Sequence, residues 1–253
     1  MLKQRLADGE QLLGLFVMFS APALVEMAGY AGFDFVIIDM EHGPTGHEEL
    51  HHCLRAGDSA GVECVVRVPR HGYGDIQRAL DAGAAGILAP HIETPEEAAA
   101  LANACLLPPG GRRGTVYSAR SGDYGFLGVD TTRAQAAEVL VVAQIEDGRG
   151  VDTVQEIAAT DGIDCIFVGP ADLAASLGLG RDAAATIQEL VRNRIRPAAV
   201  QAGSHWGSFA SSAEDARRLT TEGAALTAVS ATALIGGALG ATVQTFHAEL
   251  PHR

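Results

Sequence analysis

Lysine is nearly missing from this chain: Lys3 is the only one in 253 residues. It stands in an N-terminal segment expected to be mobile, so chemistry that needs a Schiff base on a buried lysine has no residue to use. Basic residues of every kind are scarce, 18 against 31 acids, and the net charge is -13. No run of adjacent basic residues exceeds a pair, which leaves a phosphate backbone nothing to bind, and no nucleic-acid partner is expected. Aromatic residues make up only 5%. The four cysteines (Cys53, Cys64, Cys105, Cys165) lie far apart with no C-x-x-C spacing. They read as buried thiols of a cytoplasmic protein in a reducing setting. The opening "MLKQRLADGEQLLG" lacks the apolar centre of a signal peptide. Residues 223–243 carry no charge over 21 positions. That length could cross a bilayer, but Gly, Ala, Ser and Thr dominate it, and it divides into a short strand and a helix start. No membrane span is expected.

What the chain does have is hydrophobic mass, 47% of its residues, with 30 glycines and abundant alanine suited to close packing of helices on a sheet. Short β-rich runs recur at 13–19, 33–39, 63–68, 84–90, 139–146, 164–169, 198–202 and 225–230. Segments with apolar residues at helical spacing lie between them. Near-continuous apolar strands alternating with helices predict a parallel sheet covered on both faces. Eight such units in one domain, 1–253, predict a closed (β/α)8 TIM barrel, with a doubly wound open sheet as the alternative. A long irregular stretch, about 108–131, reads as an arm near the active site or an interface. The last helix, about 232–250, is almost uncharged until Glu249 and is expected to pack on another subunit.

In a parallel barrel the residues just beyond each strand share one face, where the chemistry sits. Those residues are Asp39, Glu41 and His42 after the second strand, Arg67 on the third, Gln144 and Glu146 on the fifth, and Asp172 after the sixth. Glu146 and Asp172 stand on consecutive β/α units, and two carboxylates crowded at one height are relieved by sharing a cation. All-oxygen ligation by two acids suits Mg²⁺ or Mn²⁺. A zinc alternative is "HEELH" at 47–51, an H-E-x-x-H pattern in a polar segment without an evident third ligand. In "GPADL" the free amides of Ala171 and Asp172 open a helix and suit a small carboxylate. A cation beside an anion site points to a 2-oxo acid. Histidine is the side chain whose ordinary pKa lies near neutrality, and His42 is the natural proton carrier; His91 and His205 also follow predicted strands. Arg67, inside "VVRVP", needs a partner if buried. Asp39 could supply it, leaving guanidinium donors for a developing enolate. Without a usable lysine, carbon–carbon cleavage next to a 2-oxo acid has the metal route.

The stretches "FDFVIIDMEHGP", "VVRVP", "DAGAAGILAPHIETPEEA", "PPGGRRG" and "VAQIEDGRGVDTVQEIAATDGIDCIFVGPADLAASLG" resemble the metal-dependent 4-hydroxy-2-oxo-acid aldolases of the HpcH/HpaI family, from about Gly14 to Leu239. The resemblance implies a modified (β/α)8 barrel whose final helix swaps onto a partner, commonly in hexamers built as trimers of dimers. It implies reversible cleavage of 4-hydroxy-2-oxo acids to pyruvate and an aldehyde. His42 would be the catalytic base and Arg67 would stabilise the enolate. Glu146 and Asp172 would hold the divalent metal (Mg²⁺ or Mn²⁺, with Co²⁺ a further candidate), and Gln144, Asp172 and the Ala171 amide would meet substrate. Asp81, in "RALDAGAAG", matches the acid credited with raising the basicity of the histidine. The arm "GTVYSARSGDYG" and the stretch "LTAVSATALIGGAL" depart from the family pattern, and both are expected to line the aldehyde side. Oxaloacetate decarboxylation, CoA-ester lysis and a non-catalytic scaffold are the other readings carried forward.

Overall fold

Eight segments, seven of them predominantly apolar, form eight strands: β1 Leu12–Val17, β2 Phe35–Asp39, β3 Glu63–Arg67, β4 Gly86–Ala89, β5 Leu140–Ile145, β6 Cys165–Val168, β7 His205–Ala210 and β8 Leu226–Ser230. In the computed structural model, which describes residues 1–70, 72–180 and 183–248, each strand pairs in parallel with the next and β8 pairs with β1. The closed barrel is therefore the expected (β/α)8 architecture, and the open-sheet alternative is excluded. Helices follow the strands: α1 Leu2–Ala7, α2 Pro22–Ala31, α3 His47–Ala60, α4 Tyr73–Asp81, α5 Pro95–Cys105, α6 Val129–Ala137, α7 Gly148–Asp152, α8 Val154–Ala158, α9 Pro170–Ser176, α10 Ala183–Leu190, α11 Arg196–Ala202, α12 Ala213–Thr221 and α13 Ala231–Ala248.

Side chains alternate across each strand, and this sorts the core in two. One set, including Phe35, Ile37, Val65, Leu88, Val142 and Phe167, fills the barrel interior. The other, including Val36, Ile38, Val66, Val141 and Ile166, packs outward beneath the helices. Leu2 and Leu6 of α1 join the interior set and close its floor. The N-terminus is thus a fixed element rather than the mobile segment expected, and Lys3 pairs with Asp164 at 3.0 Å. Gly14 is small because a Cβ there would meet the Phe35 ring at 2.3 Å.

The strand expected at 198–202 does not form. Residues 198–202 belong to α11, where alanines favour the helix and Gly203, in the left-handed region at φ +69°, ends it. The seventh strand is His205–Ala210, whose alternation is broken by Gly207 and Ser208. A Cβ on Gly207 would meet the Leu226 carbonyl oxygen at 2.4 Å, so the break is a packing requirement.

The arm after α5 is anchored away from the strand tops. Arg112 N–H donates to the Asn103 carbonyl, Arg113 reaches Asp81, and Arg120 bonds both the Ala82 carbonyl and Asp58. It touches the far ends of α3 and α4 rather than the site of its own chain, and it leaves Phe126 94% exposed. Along α13, Leu234, Ile235, Leu239, Val243 and Phe246 are all exposed, and Ala231 alone is buried. Glu249 and Leu250, assigned to the same helix from sequence, lie outside the described residues. Among the described residues no helix is long and apolar enough to cross a membrane.

Candidate active site

The inward register that buries Ile37, Val65 and Val142 places Asp39, Arg67 and Gln144 two residues later on the same interior face, at the strands' carboxyl ends. Asp39 and Arg67 are register partners on β2 and β3. Their side chains meet fork to fork, Nε to Oδ1 and Nη2 to Oδ2, both at 2.8 Å. Asp39 is fully buried and the Arg67 side chain is 5% exposed. Burial works against the guanidinium charge, but the Asp39 hydrogen bonds together with the charges of Asp39, Glu41 and Glu146 outweigh it and keep the group protonated. The guanidinium carbon lies 4.7 Å from the centroid of the Phe16 ring, which supports it from below.

Glu146 follows the last residue of β5 and stays inside. Its Oε1 accepts the His91 backbone N–H at 2.7 Å, and its Oε2 accepts the Gln144 side-chain amide. Desolvation pushes the Glu146 carboxyl above its ordinary range; His91 and Gln144 oppose this, and the nearby Asp172 charge adds to it. Asp172 is exposed on the first turn of α9 and is close enough for its charge to act on Glu146, so the two acids face the same region. Between them stands Gly169, whose Cβ would meet Glu146 Oε2 at 2.7 Å and Gln144 Nε2 at 2.8 Å. The strand-to-helix turn before "PADL" must therefore be glycine for Glu146 to occupy its place.

Glu41 completes the cluster. One oxygen lies 3.4 Å from Arg67 Nη1 and 3.8 Å from His42 Nε2, and the other lies 3.6 Å from His91 Nε2. Desolvation raises its carboxyl, Arg67 pulls it back, and Glu146 raises it further. Glu41 Oε2 and Gln144 Oε1 are both buried without a hydrogen-bond partner. His42, 55% exposed, stands at the rim. Its turn is pressed against the end of β1: a Cβ on Gly43 would meet the Met18 carbonyl oxygen at 2.3 Å.

Several residues singled out from sequence lie elsewhere. Asp81 ends α4, at the barrel end where β4 begins, and pairs with Arg113 at 2.7 Å. It lines a cavity of about 460 Å³ with Met1 and Glu63, opposite the strand ends that carry His42. Within one chain the expected support of His42 by Asp81 is not made, because α4 runs down the barrel before reaching it. His205 begins β7 and so also lies at the far end. In "HEELH", His47 pairs with Asp75 at 3.2 Å on the neighbouring helix. Among the described residues no group of three His, Cys, Asp or Glu side chains is arranged as a ready-made metal site, so the zinc alternative has no third ligand. Glu41 and His91, noted from sequence only as strand-end positions, are integral to the cluster. The signal that could have promoted them is their place directly after two inward-facing strands.

The profile of the HpcH/HpaI aldolase/citrate lyase family matches residues 12–234. A hydroxypyruvate/pyruvate aldolase of Paraburkholderia phytofirmans is 39% identical over 224 residues, covering 86% of this chain and 85% of that protein. A 5-keto-4-deoxy-D-glucarate aldolase of Shigella boydii is 37% identical, covering 90% and 88%. The crystal structure of a family protein from Burkholderia cenocepacia superposes with a TM-score of 0.88 at 40% identity, covering 97% of each chain. With a matching profile over most of its length and a closed barrel carrying acids at its strand tops, this chain belongs to the HpcH/HpaI aldolase/citrate lyase family.

Proposed function

We propose that the protein is a divalent-metal-dependent pyruvate aldolase, a carbon–carbon lyase that reversibly cleaves 4-hydroxy-2-oxo acids to pyruvate and an aldehyde. The observation that carries this reading is Glu146: a desolvated carboxylate held at both oxygens by neutral donors, with the Asp172 charge beside it. The donor set fits a hard cation. Two carboxylates lie near a buried, unpartnered amide oxygen of Gln144, and no thiol lies among them. Glu146 and Asp172 would hold the ion, with Mg²⁺ or Mn²⁺ first and Co²⁺ a further candidate. When bound, the cation supplies Lewis acidity to the carboxylate and 2-oxo oxygen of the substrate.

The chain's own residues account for the rest of the chemistry. Gln144 and the Ala171 amide orient the 2-oxo acid. His42 takes the proton of the C4 hydroxyl, the C3–C4 bond breaks, and its electron pair becomes the C2–C3 enolate while the aldehyde leaves. Arg67, fixed by Asp39 and Phe16, directs its remaining donors at the enolate oxygen. Protonation at C3 then yields pyruvate and returns His42 to its starting state.

The relatives named as aldolases, at 37–39% identity, support the lyase reading. Four free, buried cysteines fit a cytoplasmic setting. The bare apolar length of α13 fits a homo-oligomer in which that helix swaps onto a partner, and a trimer of dimers is the assembly proposed. The deciding experiment incubates protein and Mn²⁺ with pyruvate and a panel of aldehydes, with aldol products followed by NMR. Products that vanish on chelation and in His42→Ala support the assignment. Undiminished turnover by fully chelated protein would overturn the metal role, and undiminished turnover by His42→Ala would remove the assigned base.

A further inference from the structure

His91 has no place in the mechanism above, yet its backbone is among the few non-glycine segments held in the left-handed region, at φ +52°. In that conformation its N–H points to Glu146 Oε1 at 2.7 Å, while the next residue, Ile92, donates its N–H to the Gln144 carbonyl at 3.1 Å. A glycine would adopt this geometry freely and would present the same N–H. A β-carbon is tolerated there only against a steric penalty, which points to a use for the ring. The ring stands between buried Glu146 and partly buried Glu41: Nδ1 lies 3.3 Å from the same Glu146 oxygen, and Nε2 lies 3.6 Å from Glu41 Oε1. The other groups around these acids are Arg67 from β3, Gln144 from β5, His42 from the turn after β2 and Asp172 from α9. Gln144 holds the second oxygen of Glu146, so His91 supplies the opposing constraint.

We propose that His91 is a positioning residue: its backbone N–H and its imidazole together fix the orientation of Glu146, and the same ring keeps Glu41 at a set distance from it. The proposal rests on the reading of Glu146 as a ligand of a divalent cation. A residue that orients a ligand governs affinity for the ion before any turnover occurs, and losses of about 10- to 100-fold are typical when such support is removed. The left-handed backbone also makes the ring separable from the main chain. His91→Gly keeps the conformation and the N–H and deletes only the imidazole. His91→Asn tolerates the conformation and restores a side-chain donor.

The test is calorimetric titration of Mn²⁺ into the metal-free protein, without substrate, for wild type, His91→Gly, His91→Asn and Glu146→Gln. His91→Gly should bind Mn²⁺ about tenfold more weakly. It should melt no lower than wild type, since backbone strain is relieved, and His91→Asn should recover most of the lost affinity. In turnover, kcat should fall in the glycine variant with the aldehyde KM unchanged. If His91→Gly does not fold, His91→Ala carries the same comparison. Wild-type affinity in the glycine variant overturns the proposal, as does an asparagine variant no better than glycine. Wild-type affinity in Glu146→Gln would instead overturn the cation site itself, so the two failures are distinguishable.

Discussion

Asp39 holds Arg67 through two parallel hydrogen bonds of 2.8 Å between adjacent strands, and neither side chain has meaningful access to water. The pair sits at the height where the apolar interior of the barrel gives way to the charged rim. Its role is to let a cation exist in a place that would otherwise reject one.

Replacing Asp39 by Ala leaves that guanidinium with the longer contact to Glu41 and the face of the Phe16 ring. Breaking a buried pair from one side costs on the order of 3 kcal/mol. Urea unfolding should show a lowered midpoint with an unchanged slope. An Asp39→Ala protein as stable as wild type would contradict the energetic role given to the pair.

Gly169→Ala is a steric test of the Glu146 placement. The backbone at Gly169 is at φ −98°, open to any residue, so the variant carries no conformational penalty. Its methyl group would displace Glu146 Oε2 or Gln144 Nε2 by a substantial fraction of an ångström. Catalysis should fall by roughly a hundredfold, the scale of a misplaced reacting group. Thermal melting should change little, and steady-state rates beside a melting curve would check both halves.

The thiols make a prediction about pH. Burial pushes Cys64 and Cys105 up to about 12, and it moves Cys53 and Cys165 in the same direction. The folded state therefore resists losing these protons while the unfolded chain loses them near its ordinary thiol range. Their contribution to stability is whole below about pH 9 and declines as pH rises toward 12. At pH 8 a thiol reagent should label none of the four in native protein and all four after denaturation. Rapid native labelling would refute the burial.

The exposed face of α13 predicts assembly. Leu239→Asp combined with Val243→Asp should convert the proposed oligomer to smaller species by light scattering. The circular dichroism of the barrel should be retained, because neither side chain is buried within its own chain. An unchanged mass would exclude this helix from the interface.

Much of this is legible in the residues alone. Seven of the eight strands lie in predominantly apolar runs, and the period of two that buries Ile37 and Val65 also delivers Asp39 and Arg67 to the axis. Strand β7 escaped because Gly207 and Ser208 interrupt the run for the sake of close packing, while alanines nearby imitate a strand. Asp172 was visible through its motif. The involvement of His91 depends on a backbone conformation that no pattern of hydrophobicity encodes, and Glu41 matters because of burial beyond the strand end. Asp81 entered through resemblance alone, and the run of α4 carries it to the other end of its own barrel.

The floor of the barrel is sealed by Leu2 and Leu6. Reactants therefore come and go through one doorway, and whichever molecule seats deeper has to enter first and depart last. Under the proposed function, a 2-oxo acid seated at Glu146 would have to arrive before the aldehyde and leave after it.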